Sequence, residues 1–422
     1  MIQVTTVGLT SRHRRAEARV PRQGRSEDAI AKIAKAVISL LASEGQGAIT
    51  HRRVAEVAGV SVAATTYYYS SKFALIADAQ ARLLDAYVNA FVRARERHRA
   101  GEPVVANLPA LVIKLLKNAA GRHGSETLAW SEIMLDCTRD ERGHALAKEW
   151  FSRMENIWSE LLTEFGTPDA AALVNPAIDT VVGLLFITLP LQLSEEQIAL
   201  VLEEGQPLSS VCGHLRNDIE ARQSANVEPG KSGDARARIV DAAVRLLESG
   251  DAQAVTYGAV ARRAGLTNAA PAYHFARIDE LSDLAQSELL RRMKERYEAM
   301  LIAAAGADVP AGDLLATIHV RSVLEDGTAN MAGHQAWLSA VRRSSLRAAV
   351  ADIVLAFEAD FAALLGTPDT SRATILIMAQ FVGRGLRIQA TGKPTVHMAC
   401  ARQEFERTIG AALRGQHPML PE

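Results

Sequence analysis

Slid along itself by 206 residues, the chain lays residues 33–75 over residues 239–281 without a gap, and 15 of those 43 positions are identical. The shared residues include Leu40/Leu246, Leu41/Leu247, Thr50/Thr256, Val54/Val260, Gly59/Gly265 and Tyr67/Tyr273. Further along, Trp130 aligns with Trp337, and the run Gly-Thr-Pro-Asp at 166–169 returns at 366–369, now at an offset of 200. The second copy is therefore about seven residues shorter between those landmarks. A period this long means two copies of one folding unit rather than one large domain. A 422-residue chain gives each copy roughly 200 residues, enough for a core of its own. With 48% hydrophobic and 23% charged residues, the chain is neither disordered nor fibrous.

Each copy reads as helix nearly throughout, so the expected fold class is all-α. Ile30, Ile33, Val37, Leu40 and Leu41 recur at helical spacing, and Gly45 and Gly47 end that run. Thr50 then starts a second helix as an N-cap, its side-chain oxygen accepting a free backbone N–H. That helix stops at Ala58-Gly59, Ser61 caps a third, and a long fourth begins at Lys72. Nothing alternates with period two for long enough to make a strand.

Residues 50–69, THRRVAEVAGVSVAATTYYY, thus form a helix, a tight glycine turn and a short second helix. Small or apolar residues (Val54, Ala55, Val60, Ala64) stand where two crossing helices must touch. Such a pair can lay its second helix in a DNA major groove, N-terminal residues toward the base edges. Thr50, Arg52, Arg53, Tyr67, Tyr68 and Lys72 surround it with hydroxyls and cations suited to phosphate oxygens. At the groove stand Ser61, Val62, Ala63, Thr65 and Thr66, and in the second copy Thr267, Asn268 and Ala269. Thr256, Tyr257, Tyr273, His274 and Arg277 are the second copy's flanking candidates. Val62 and the alanines can touch only thymine methyls, whereas Asn268 can bond adenine in bidentate fashion.

This pattern resembles the N-terminal domain of the TetR/AcrR family of bacterial transcriptional regulators. The first copy matches at Thr50, Val54, Ala55, Ala58 to Ser61, Tyr69, Ser71, Lys72 and Leu75. The second matches at Thr256, Val260, Ala261, Ala264 to Thr267, Phe275 and Leu281. It departs in three places. The family's aromatic just inside the recognition helix falls at Thr66 and Ala272, with Tyr67 and Tyr273 one place later. Its phosphate-binding lysine is Lys72 in the first copy but Ile278 in the second. Pro271 stands at the fourth position of the second recognition helix, where it removes an intrahelical hydrogen bond. DNA contact is accordingly expected to be weighted toward the first copy.

The resemblance implies, for each C-terminal half, a helical body that binds a small effector and pairs through a four-helix bundle. The bundle segments are then 150–165 with 170–189 and 346–365 with 371–389, each apolar on one face. Wide residues that could line an effector cavity are Trp130, Met134, Trp150, Met154 and Trp158, with Trp337 and Met378 in the second copy. The bland alternative is that they are core. Arg384 and Arg387 fall on the second copy's bundle segment, whereas its counterpart, 181–189, carries no charge. Pairing the second copy with itself would juxtapose like charges, and Asp179 or Glu160 of the first copy would be better partners.

The expected domains are a basic arm (1–24), a first helix-turn-helix domain (25–73), a first helical body (74–202), a linker (203–233), a second helix-turn-helix domain (234–280) and a second body (281–422). Residues 1–72 carry a net charge of +6 and residues 231–281 one of +1, leaving −8 elsewhere to make the total of −1. A basic segment on an acidic body is the footprint of a part that meets nucleic acid. The arm itself supplies Arg12, Arg14, Arg15, Arg19, Arg22 and Arg25. Three scattered cysteines make neither a disulfide framework nor a cysteine zinc site, pointing to a reducing cytoplasm. The longest uncharged run, 180–194, falls short of a membrane span, so no membrane partner is expected. No HExxH, GxSxG, GxxxxGK[ST] or GxGxxG occurs, and no enzyme, metal or cofactor is expected.

The expectation is a tandem regulator, a repressor released from an asymmetric double-stranded operator by a small apolar effector, with the two halves paired inside a monomeric chain. The rival is a soluble ligand-binding or scaffold protein whose second reading head no longer works.

Overall fold

A computed structural model describes residues 22–102, 107–213, 215, 232–249, 255–304, 309–366, 372–392, 395, 398–415, 417 and 419. The chain is all-α: no described residue lies in a strand. The first copy comprises α1 (Arg22–Glu44), a 3-10 turn (Gln46–Ala48), α2 (His51–Ala58), α3 (Val62–Tyr68), α4 (Lys72–Arg99) and α5 (Leu108–Ala120). It continues with α6 (Gly124–Asp136), α7 (Glu141–Glu164), α8 (Ala170–Leu191), α9 (Glu195–Leu202) and the short α10 (Leu208–Cys212). The second copy comprises α11 (Ser232–Glu248), α12 (Tyr257–Ala264), α13 (Ala270–His274), α14 (Ile278–Ala304) and α15 (Ala311–Leu324). After these come α16 (Gly327–Ser339), α17 (Ser344–Leu365), α18 (Arg372–Thr391) and α19 (Ala401–Leu413).

The caps follow the sequence. Thr50 Oγ1 accepts from Arg53 N at 3.1 Å to open α2, and Ser61 Oγ accepts from Ala64 N at 3.1 Å to open α3. Gly59 ends α2 in the left-handed region (φ 64°), as Gly265 ends α12 (φ 64°), where a side chain would be strained. In both copies α1 or α11 packs behind this pair and against the start of the long helix.

The body is organised around α8 and α18, which pack along each other with α7 and α17 alongside. Gly183 of α8 faces the Ala379 carbonyl and Gly383 of α18 faces that of Asp179, so a Cβ at either glycine would overlap backbone. Two helices can approach this closely only through residues without side chains. At the same seam the buried Asp179 accepts Arg387 Nε at 2.6 Å and Nη2 at 2.8 Å. Of the two expected carboxylates, Asp179 is the one engaged; Glu160 pairs instead with Arg95 of its own copy. Arg384 turns to Glu404 of α19 at 2.7 Å.

Further bonds cross between the halves. Buried Glu358 of α17 accepts the N–H groups of Leu208 (2.8 Å) and Ser209 (3.2 Å) at the start of α10. The carboxylate of Glu132 (α6), fully buried, pairs with Arg342 and accepts from Gln335 Nε2 at 2.8 Å.

One expectation needs correcting. Helix α8 is long and apolar enough to cross a membrane, although the uncharged run within it is short. Asp179 interrupts the apolar run, but a single charge does not disqualify a 22-residue helix. Most of α8 is buried against protein. The arginines at 12, 14, 15 and 19 and most of the linker lie outside the described residues. Arg22 and Arg25 fall in the first turn of α1, so the helix begins slightly before the expected domain boundary.

Candidate nucleic-acid interface and ligand cleft

On the first reading head, α3 presents Val62, Ala63, Thr66 and Tyr67 to solvent, with Arg52 exposed on α2 beside them. Val62 is 46% and Tyr67 82% accessible. Arg53 is held between Glu44 (2.6 Å) and Glu56 (2.9 Å), so its charge is balanced locally. Tyr68 is half-buried, its hydroxyl 2.8 Å from Ser26 Oγ. Thr65 departs from expectation. It is fully buried, and its hydroxyl donates to Val62 O at 2.8 Å, so it anchors α3 instead of facing outward.

Lys72 opens α4 with an exposed side chain whose Nζ donates to Gln46 O at 2.8 Å. Gln46 Nε2 in turn reaches Glu132 O at 3.5 Å, and the Glu132 carboxylate holds Arg342 of the second copy. Burial raises the Asp136 carboxyl, with Arg139 and Lys72 opposing it. The lysine expected at phosphate thus stands at the end of a polar chain that begins in the other half of the protein.

The second head differs where Pro271 falls. Helix α13 starts at Ala270, later than the counterpart of α3, and runs for five residues. Pro271 sits in its first turn, where a missing N–H costs nothing, instead of at the fourth position of a longer helix. Thr267 does not cap it through its side chain; its carbonyl accepts Ala270 N at 3.0 Å. Asn268, Ala269 and Tyr273 are exposed, Tyr273 at 86%, while His274 is half-buried. Thr256 caps α12 through Ala259 N at 3.2 Å, and Tyr257 donates its hydroxyl to Phe275 O at 2.9 Å. Arg277 lies 3.4 Å from Asp279.

The expected effector residues are close-packed. Trp130, Trp150, Met154 and Trp158 line a cavity of about 40 Å³, and Met134 does not reach it. That is room for little more than a water molecule, against several hundred Å³ for an effector. Trp337 and Met378 are buried in the other half, near a cavity of about 20 Å³ that neither lines. Wide aromatic side chains fill space as readily as they enclose it, and here they pair edge to face: Tyr87 with Trp150, Phe91 with Trp158.

A larger volume lies next door. Helices α4, α5 and α6 enclose a cleft of about 570 Å³ floored by Leu83, Tyr87, Phe91, Leu111 and Leu115. Arg93, Arg97, Lys114 and Arg122 stand around it, with Glu126 as a carboxylate among the lining residues. Its signal in the sequence was the small Ala86, Ala90 and Ala94 at four-residue spacing beside Tyr87 and Phe91, a stripe too slight to fill a helix–helix contact. Helix α4 spans from Lys72 at the reading head to this cleft, and α6 packs against α1, so both cleft walls are joined to the head.

No curated protein matches the chain. Residues 103–204 match a family model described as Tetracyclin repressor-like, C-terminal domain. That stretch contains α5 to α9, and so includes two of the three helices around the cleft and the first copy's half of the central bundle.

Proposed function

We propose that the chain is a ligand-responsive transcriptional regulator in which two TetR-like units, fused in tandem, pair with each other as a pseudo-dimer. The observation that carries this reading is the exposed face of α3, with Val62, Thr66 and Tyr67 uncovered, joined through α1 and α4 to a body of the repressor-like C-terminal type. The proposed domains are heads at 25–73 and 234–280 with bodies beginning at 74 and 281, close to the starts of α4 and α14.

Because the heads differ at α3 and α13, the operator has unlike half-sites. Repression is the expected sign: a bound body occludes a promoter, and a ligand in the body reorients α4 and α6 to release it. A mobility-shift assay with DNA upstream of the chain's own gene, followed by footprinting, tests this. An asymmetric footprint supports the reading; equal protection of a perfect palindrome opposes it. A second reading, a ligand-binding protein with little operator affinity, draws support from the five-residue α13 and from Ile278 at the lysine position. It predicts no shift with any genomic fragment.

A further inference from the structure

The cleft between α4, α5 and α6 combines two chemistries. Its floor is hydrocarbon and aromatic, and Arg93, Lys114 and Arg122 on its walls enter no ion pair among the described residues. Arg97 adds a fourth cation, already 3.8 Å from Glu102. Against these the lining offers Glu126 alone as an acid. Arg93, Arg97 and Arg122 are exposed and Lys114 is half-buried, so a neutral apolar ligand would cover the floor and leave these cations to water. An anion with an apolar body satisfies both, because a carboxylate accepts from guanidinium and ammonium groups while its chain takes the place of water on the floor.

Resting on the reading of the first body as an effector domain, we propose that this cleft binds a carboxylate carrying an apolar chain or ring, one molecule per protein. This replaces the small apolar effector expected from the wide residues alone. The volume, about 570 Å³, is of the size that encloses small-molecule ligands. In the second copy, His319, Asn330 and His334 are among the residues that line a cavity of about 20 Å³. Helix α19, which packs on α15 there, closes that side.

Decanoate, decan-1-ol and decyltrimethylammonium share a chain length and differ in charge. Their binding to the full-length protein, without DNA, is followed by equilibrium dialysis and by intrinsic tryptophan fluorescence, to which Trp150, 5.4 Å from Tyr87 on the cleft floor, contributes. Decanoate is expected to bind with one-to-one stoichiometry, decan-1-ol at least about tenfold more weakly, and the cation not at all. Lys114→Glu and Arg93→Glu should each weaken decanoate by about tenfold or more and leave decan-1-ol unchanged. Lys114→Gln serves if the charge reversal disturbs folding. Equal affinity for decanoate and decan-1-ol, or decanoate binding indifferent to Lys114 and Arg93, overturns the proposal. This readout needs no DNA, so a carboxylate that binds here but fails to release the operator in the mobility-shift assay would count against the regulator reading and leave this one standing.

Discussion

Asp179 and Arg387, 208 positions apart in the chain, meet in a two-pronged ion pair that is almost wholly buried between α8 and α18. Neither residue has a like-for-like counterpart that could serve it in the other copy. Burial works against the Arg387 charge, but Asp179 holds the guanidinium protonated, its pKa raised.

Removing one partner leaves the other charge buried alone. Asp179→Ala or Arg387→Met should each destabilise the protein by about 3–5 kcal/mol, whereas the double variant should recover much of that loss. Denaturant midpoints for the four proteins of the cycle decide it; a double variant as unstable as the sum of the singles would show that the pair is not coupled.

The glycine contacts of the seam are predicted to be equally intolerant. Gly183→Ala and Gly383→Ala place a methyl against the carbonyls of Ala379 and Asp179, and each should cost about 1–3 kcal/mol or more by forcing the helices apart. Sedimentation gives the second readout. The wild-type chain should run as a single 45.5 kDa species at micromolar concentration, since linked halves meet at an effective concentration in the ~mM range. A stable particle of twice that mass would show that the halves pair between chains.

On DNA, Lys72→Ala should weaken binding to all sequences alike and lower the salt slope by about one unit. Arg277→Ala should do less, because Arg277 is drawn toward Asp279 and stands one place from the lysine position. Glu132→Gln, far from any DNA, should also alter affinity, since it loosens the chain from Arg342 through Gln46 to Lys72. Titrations at several salt concentrations separate the three; identical losses from Lys72→Ala and Arg277→Ala would refute the weighting.

Acid should unfold the protein partly through its histidines. Burial, then the charges of Arg384 and Arg387, hold His319 well below its ordinary pKa, with Phe381 and Phe405 against its ring. Burial also lowers His334, against a hydrogen bond with Asn330 O that raises it, and takes His417 down to about 4. Unfolded, all three gain a proton near pH 6.5; folded, they do not. The unfolded chain therefore binds more protons below that pH, and stability falls as pH falls, by at most about 1.4 kcal/mol per unit for each histidine. Glu358, raised by burial, pulls the opposite way at the acid end. His319→Gln should flatten the decline between pH 6.5 and 5 in chemical-denaturation midpoints; an unchanged slope would exclude His319 as a contributor.

How much of this was legible beforehand divides along physical lines. The caps at Thr50 and Ser61 and the turn at Gly59 are local, each fixed by a residue and its nearest backbone, and the helices stand where those signals put them. The partner of Arg387 was within reach because a buried cation on an apolar face demands a carboxylate, and Asp179 sits on the opposing apolar face. Thr65 misled because a hydroxyl in a short helix looks alike whether it faces out or bonds back to Val62. The tryptophans misled for a similar reason: ring size is visible in a sequence, but the space left between rings is not. The cleft itself arises where α4 and α5 stand apart, a property of their crossing that no single helix reveals.

When a helix pairs with a second copy of itself, any mutation arrives twice, once from each side, and a charge there meets its own image. At α8 and α18 the two sides are spelled separately in one gene. An aspartate could be fixed on one and an arginine on the other, each inherited alone. Such a seam can specialise by single steps, and it keeps its partner through every duplication or transfer of the gene.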